Sequence, residues 1–268
     1  MLKRIVTHPG PAHRDDFYAV CLLLAAYSNV IVERRNPTAA DLDSPDILVL
    51  DIGDRFEPTL MNFDHHQDLN IRCSMSLVAE FLGLQLLEEL FPYLKYLDIS
   101  DRRGPVFAAK QFGVSDPELL QTPAEQILIS KFARDPMDAG IYQIMKDIGT
   151  DLIDKAKLAP KIFDMYRQCL RTMIGPYYAI IIHSSQTPLF GKWLRIDKPG
   201  IHILIARDNR GPGWSVTRSE EAATTLDFYK PAIINSPEVQ FVHKGGFVFK
   251  TKNHMPLEEV YELIKLAL

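Results

Sequence analysis

The sequence predicts an α/β protein with three parts: a parallel-sheet domain over residues 1–121, a helical connector over 122–175, and a smaller α+β domain over 176–268. Three features predict it. The N-terminal part alternates short apolar runs with helix-like segments, residues 122–174 carry helical periodicity, and beyond Gly175-Pro176 the texture changes to short strand-like runs. At 268 residues, 47% hydrophobic and 24% charged, the chain can bury one large or two modest cores. Disordered and fibrous classes are excluded.

Taken in order, residues 4–6 read as a short buried strand, after which His8-Pro9-Gly10-Pro11 breaks the chain. Asp15 or Asp16 can cap a helix over 17–27. A second strand is expected at 30–33. A third is expected at 46–51, where Ile47-Leu48-Val49-Leu50 is the continuous apolar run of a strand covered on both faces. Over 76–97 the apolar positions Leu77, Phe81, Leu84, Leu87 and Leu90 recur at steps of three and four, so a helix is expected, with a break at Pro92. Its end delivers Asp98 and Asp101. Thr122-Pro123 with Glu125 opens a helix, and 147–173 continues an amphipathic pattern interrupted at Pro160. Strands follow at 178–183, 200–206 and 214–217, with a turn-rich segment at 208–213, and 256–268 closes as an amphipathic helix.

The formal charge of −4 argues against a surface that coats nucleic acid, because non-specific phosphate binding needs a basic excess. Cys21, Cys73 and Cys169 are odd in number and lack CxxC spacing, so they read as reduced thiols. No run of about 18 apolar residues exists, so no membrane partner is expected. The start runs straight into a strand without a signal peptide's apolar core, and a cytoplasmic location is expected.

Histidine and aspartate crowd the N-terminal part. His8 follows a strand, His13 and Asp15 open the next helix, Asp51 ends another strand, and Asp64-His65-His66 follows Phe63. Carboxyl ends of parallel strands and the helix starts beyond them face one crevice, so these residues can converge. Alone, His8 or Asp51 would be a strand-end hydrogen-bonder. As a set they read as a metal site, and imidazole with carboxylate and no thiolate suits manganese, iron, cobalt or zinc rather than calcium.

The Asp64-His65-His66 triplet, the aspartate closing Leu48-Val49-Leu50-Asp51, and the histidine-aspartate loop after the first strand resemble the DHH phosphoesterase superfamily. Thr7-His8-Pro9-Gly10, His13-Arg14-Asp15-Asp16, Asp51-Ile52-Gly53, Phe63-Asp64-His65-His66-Gln67 and the C-terminal Phe241-Val242-His243-Lys244-Gly245-Gly246-Phe247 are similar to its melanocyte-proliferating-gene-product branch of metal-dependent hydrolases. Residues 105–175 carry no such resemblance. The resemblance implies a DHH-type catalytic domain and two divalent ions, manganese foremost with magnesium, cobalt or zinc as alternatives. It implies that His8, His13 and Asp51 hold one ion and that Asp15, Asp51, His65 and Asp101 hold the other. Asp98 competes with Asp101 for the last place. His66 would face the substrate phosphate, and Asp64 would orient a ligand histidine.

The resemblance further implies that the C-terminal domain grips substrate through His243, Lys244, Gly245 and Gly246. Taken alone, Lys-Gly-Gly reads more often as a β-turn. Arg210, with Arg207 and Arg218 around Trp214, could stack a base and neutralise phosphate, or form a solvated hairpin over a packed tryptophan. Arg34-Arg35 and Arg102-Arg103 would supply a local positive field if they line the cleft. The implied activity is hydrolysis of a phosphoester by a metal-bound hydroxide, 3'-to-5' exonuclease-like on RNA or short oligonucleotides. Alternatives are a small-nucleotide phosphatase or cyclic dinucleotide phosphodiesterase, a non-catalytic metal- or nucleotide-binding protein, and a zinc-dependent amide hydrolase. Oligomeric state is not encoded in any feature of the sequence.

Overall fold

The apolar run at Arg4–Thr7 forms β1, whose Ile5 and Val6 are wholly buried, as befits a strand with neighbours on both sides. The structure, a computed structural model, describes residues 2–185, 188–198 and 200–268. The chain divides into two units, Met1–Ala159 and Pro160–Leu268. In the first, β1 is followed by α1 (Arg14–Ala26), β2 (Ile31–Arg34), α2 (Ala39–Leu42), β3 (Ile47–Leu50), β4 (Phe56–Glu57) and β5 (Asn62–Phe63). Six helices complete it: α3 (Ser74–Phe81), α4 (Leu87–Leu90), α5 (Pro92–Arg103), α6 (Pro105–Gln111), α7 (Pro123–Arg134) and α8 (Ala139–Lys157).

The sheet order is β2-β1-β3-β5-β4, parallel except for β4, which runs antiparallel to β5. Strand order therefore reverses at β1, with β2 on one side and β3 on the other. Such a switch point opens a crevice beyond the carboxyl ends of the strands. The register fills it: Thr7 lies opposite Leu50, and Leu50 opposite Phe63. His8, Asp51 and Asp64 each follow one of those residues and so form a row beyond three adjacent strands.

Several boundaries differ from the sequence expectation. Helix α1 starts at Arg14, so Asp15 and Asp16 lie inside its first turn rather than at its cap. There the Asp16 carboxylate accepts the His13 backbone N–H at 2.8 Å, and negative charge suits a helix N-terminus. The helix expected at 76–97 is three: α3 stops before Gly83, which adopts φ +72°, and Pro92 begins α5. Helix α5 then carries Asp98 and Asp101 and ends at Gly104, φ +89°.

Helices α7 and α8, expected within a connector, pack against α1 in the first unit. Helix α1 is buried over nearly its whole length and needs that cover. Gly149 of α8 permits the contact, since a Cβ there would stand 1.8 Å from the Cys21 carbonyl oxygen.

Helix α9 (Ala159–Gln168) leads into the second unit, which contains β6 (Leu170–Ile174), β7 (Tyr177–Ser185), α10 (Pro188–Asp197), β8 (Ile203–Arg207), β9 (Trp214–Arg218), α11 (Pro231–Ile234), β10 (Val239–Val242), β11 (Val248–Thr251) and α12 (Leu257–Lys265). Its sheet order is β10-β11-β9-β8-β7-β6, antiparallel but for the β7/β8 pair. Residues 170–174, expected as helix, form a strand instead. Ile174 pairs with Tyr177 across the two-residue connection Gly175-Pro176, and Gly175 at φ +57° supplies the conformation that a tight hairpin demands. Trp214, Phe228 and Phe249 anchor the core, with Val260 and Ile264 of α12 packed into the same cluster. Among the described residues, no helix is long and apolar enough to cross a membrane.

Gly149→Ala is expected to destabilise the protein by about 1–3 kcal/mol in urea unfolding, because the new methyl meets backbone that cannot yield. At an unhindered helical site the same change would stabilise by roughly 1 kcal/mol, so an unchanged or raised midpoint would contradict the close approach.

Candidate metal centre

The loop beyond β1 places His8 and His13 side by side, with ring centroids 5.0 Å apart. Gly10 turns this loop at φ +84°, and Arg34 fastens it by donating to the Gly10 and Pro11 carbonyls at 3.3 Å each. Arg34 also donates to Asp16 Oδ2 at 2.6 Å and lies over the Phe132 ring. The wholly buried Asp16 stands 3.3 Å from His8 Nε2. Arg34 is thereby committed to Asp16, and Arg35 to Asp41 and Glu33. The basic pair expected to lend the cleft a positive field is neutralised.

Beyond β3, Asp51 adopts left-handed backbone, φ +59°, which aspartate tolerates better than bulkier residues. Gly53 follows at φ +105°, where a Cβ would stand 2.9 Å from Leu42 Cδ2, so the Asp51-Ile52-Gly53 string is a backbone requirement as well as a chemical one. Asp51 Oδ1 accepts from Ser74 Oγ at 2.9 Å and lies 3.2 Å from His65 Nε2, while Oδ2 is 3.5 Å from His8 Nε2. Asp51 thus faces both histidine groups. Nothing in the sequence had marked Ser74, the first residue of α3.

Asp64 is the clamp of the loop beyond β5. Its Oδ1 accepts from the His65 and His66 backbone N–H groups at 2.8 and 3.3 Å, and Oδ2 accepts from the Asp54 N–H at 2.6 Å. Oδ1 also lies 2.7 Å from His66 Nδ1, so the histidine it orients through the side chain is His66. His66 is half exposed and stacks on His65, which is buried. Burial raises the Asp64 carboxyl, but its hydrogen bonds to His66 and to the Asp54 N–H outweigh that and hold it below the usual range.

Helix α5 brings Asp101 to the same point, with Oδ2 2.9 Å from His65 Nε2. Asp98 is engaged elsewhere: it accepts from the Cys73 N–H at 2.8 Å and from Arg102 at 2.5 and 3.1 Å. Arg102 is therefore also spoken for. Arg103 is exposed in the last turn of α5.

Asp15 carries the electrostatic argument. It is 1% exposed, and neither carboxylate oxygen has a hydrogen-bond partner. Burial first, then the charges of Asp51, Asp101 and Asp16, push its carboxyl well above the ordinary carboxylate range. His65 moves likewise: burial alone would lower it, but Asp101 and Asp51 prevail and raise it to about 9. The Asp16 carboxylate raises His8. Nε2 of both histidines is buried without a hydrogen-bond partner, despite the nearby carboxylate oxygens. Unpartnered buried donors and acceptors are costly, and an excess of carboxylates invites a cation.

Three overlapping groups have ligand atoms within 4.8 Å of one another: His8, His13 and Asp51; Asp51, His65 and His66; and His13, Asp15 and Asp101. The six expected ligands therefore converge. The donor set, imidazole nitrogen and carboxylate oxygen, fits a borderline divalent ion.

The expected substrate-gripping residues lie in the second unit. His243–Phe247 forms the turn of the β10/β11 hairpin. In it the Gly245 N–H donates to His243 Nδ1 and the Gly246 N–H to the His243 carbonyl, both at 2.9 Å, so neither glycine N–H is free to grip an anion. Gly246, at φ +66°, fits against Asp227, where a Cβ would stand 1.8 Å from Oδ1. Lys244 is exposed. Arg210 is also exposed, and its N–H donates to Asp208. Trp214 is 1% exposed, donates to the Met255 carbonyl and lies under Arg207, which takes it away from any role in stacking a base.

These features define a candidate metal centre at the switch point of a parallel sheet. Residues 4–73 match the model of a family described as an uncharacterised protein family (UPF0160), under the model name MYG1_exonuc. The matched stretch holds every expected ligand except Asp101. No curated protein matches the chain. A solved structure described as an uncharacterized protein from Helicobacter pylori G27 aligns over 98% of this chain and 99% of its own, at 12% identity and a TM-score of 0.27.

In the metal-free protein, His65 and His8 have folded-state pKa values above the ordinary ~6.5 for histidine, so their stabilising contribution is complete below that pH and fades as pH rises. Asp15 shifts the same way. The melting temperature of chelated protein is expected to fall between about pH 6.5 and the His65 value of about 9, and manganese is expected to flatten the slope. A rising profile would contradict the arrangement.

Proposed function

We propose that the protein is a metal-dependent phosphoesterase of the DHH type that cleaves RNA or short oligonucleotides, 3'-to-5' exonuclease-like. The observation that carries this reading is Asp15, buried without a hydrogen-bond donor among Asp51, Asp101 and His65 at the end of the sheet. Its position within a stretch matched by a family model named for an exonuclease supports the choice of phosphoester over amide chemistry. Manganese is the favoured metal.

His8, His13 and Asp51 would hold one ion, and Asp15, Asp51, His65 and Asp101 the other. Such a pair of ions supplies an activated water and neutralises charge on the phosphoryl oxygens. The chain's own groups do the rest. Asp51 sits between the two histidine groups and holds its carboxylate through Ser74 and the left-handed backbone. Asp64 fixes the His66 ring by Nδ1, which leaves the other ring nitrogen to contact a substrate phosphate or the departing oxygen. In the overall reaction water adds to phosphorus, the P–O ester bond breaks, and the leaving oxygen takes up a proton.

The test is hydrolysis of a 5'-labelled short RNA and of bis-p-nitrophenyl phosphate with manganese, comparing intact protein with Asp51→Ala and His65→Ala. Stepwise shortening from the 3' end, reduced by about a hundredfold or more in both folded variants, is the expected result. Ser74→Ala should give a smaller loss. No cleavage of either substrate by intact protein holding about two manganese ions would overturn the assignment and favour a protein that binds metal without turnover.

A further inference from the structure

A cavity of about 660 Å³ opens directly beside the candidate metal centre, and His13, Asp15 and Asp101 form part of its wall. Helix α7 contributes Gln126, Ile129, Ser130 and Ala133 to its lining, at helical spacings of three and four on one face. Helix α7 lies outside the 4–73 stretch that matches the family model and within the part of the sequence that carries no resemblance.

The chemistry of the cavity changes from one side to the other. Carboxylates and an imidazole face it where the ions would bind. Elsewhere it is lined by apolar groups, by the hydroxyls of Ser100 and Ser130, and by the amides of Gln121 and Gln126, which hydrogen-bond each other at 3.2 Å. The one arginine in its wall, Arg14, has its charge offset by Glu125, with Nε and Nη2 each 2.9 Å from Oε1, and Tyr18 donates to the same oxygen. The cavity is thus built for a neutral, partly apolar group attached to a phosphate held at the metal end. Its volume is in the range of small-molecule sites, roughly 300–1,000 Å³. Side-chain amides pair bidentately with the edges of nucleobases, and a flat, fixed guanidinium offers a face for a ring.

We infer that this cavity receives the nucleoside next to the scissile phosphate, and that Gln126 on α7, with Gln121, reads the hydrogen-bonding edge of the base. The inference rests on the phosphoesterase reading for the phosphate end, but the neutral end of the cavity stands on its own geometry. The glutamines would have to exchange their mutual hydrogen bond for bonds to the base, and adenine and uracil present different donor and acceptor edges to an amide, so the two would bind with unequal strength.

The test is calorimetric binding to manganese-loaded full-length protein of inorganic phosphate, ribose 5-phosphate, AMP and UMP. Two variants on the accessible face of α7 accompany it: Ile129→Trp, which fills the cavity, and Gln126→Ala, which removes the amide. The nucleotides are expected to bind at least about tenfold more tightly than ribose 5-phosphate. Ile129→Trp should abolish that preference and leave phosphate binding unchanged, and Gln126→Ala should shift the AMP/UMP ratio by about threefold or more. Circular dichroism of each variant distinguishes a filled cavity from a misfolded chain, and Ile129→Ala, which enlarges the cavity, should retain the preference. Phosphate binding without preference for a base, or a preference that survives Ile129→Trp, would overturn the inference while the phosphoesterase reading stands. Base-dependent binding without any phosphate binding would do the reverse, and the failure of all four ligands would overturn both.

Discussion

Four aspartates, Asp15, Asp16, Asp51 and Asp101, meet at the carboxyl end of a buried parallel sheet, and of these four only Asp16 is paired with a guanidinium among the described residues. The rest of the first unit follows from this concentration of charge. Carboxylates brought into a low-dielectric interior must bind protons, cations or donors. Asp16 takes Arg34 and the His13 N–H, Asp51 takes Ser74, and Asp101 lies against His65. Asp15 has no hydrogen-bond donor, with His65 Nε2 3.8 Å from its Oδ2, and burial among the other carboxylates pushes its carboxyl well above the ordinary range. A fold that keeps such a residue at its core gives up stability in the metal-free state, a cost that a bound cation would offset.

The scaffold that enforces the arrangement is local and rigid. Register alone brings His8, Asp51 and Asp64 into line, because each follows the last paired residue of its strand. Left-handed backbone at Asp51 turns its carboxylate toward both histidine groups, and such strain persists only where the surroundings hold it. Arg34 ties the His8–His13 loop to β2 and reaches Phe132 on α7, so the helix that bounds the cavity is linked to the loop that carries two of the candidate ligands.

Much of this was legible in the sequence. A strand's end marks the crevice of a parallel sheet, and Asp51 after Ile47-Leu48-Val49-Leu50 and Asp64-His65-His66 after Phe63 both stand at such ends. What could not be read depends on partners distant along the chain or on orientation. Ser74 had no signal of its own until β3, β5 and α3 came together. Arg34 read as one of a basic pair that would lend the cleft a positive field, because nothing in the sequence ties it to Asp16. Asp98 and Asp101 differ by less than one helical turn, and only the rotation of α5 decides that Arg102 and the Cys73 N–H engage the first while the second meets His65. The strand at Leu170–Ile174 was hidden because its apolar residues suit either a strand or a helix, and the Gly175-Pro176 hairpin decides between them. In the C-terminal unit, glycines that looked suited to an anion are used instead by their own turn.

The claim that the site is organised around missing positive charge is tested most directly by thermal unfolding of Asp15→Asn, with chelator and with saturating manganese. Removing the buried charge should raise the melting temperature of the chelated protein above that of the parent, and should remove most of the further rise that manganese gives the parent. A variant less stable than the parent in chelator, with its manganese-induced rise intact, would contradict the account.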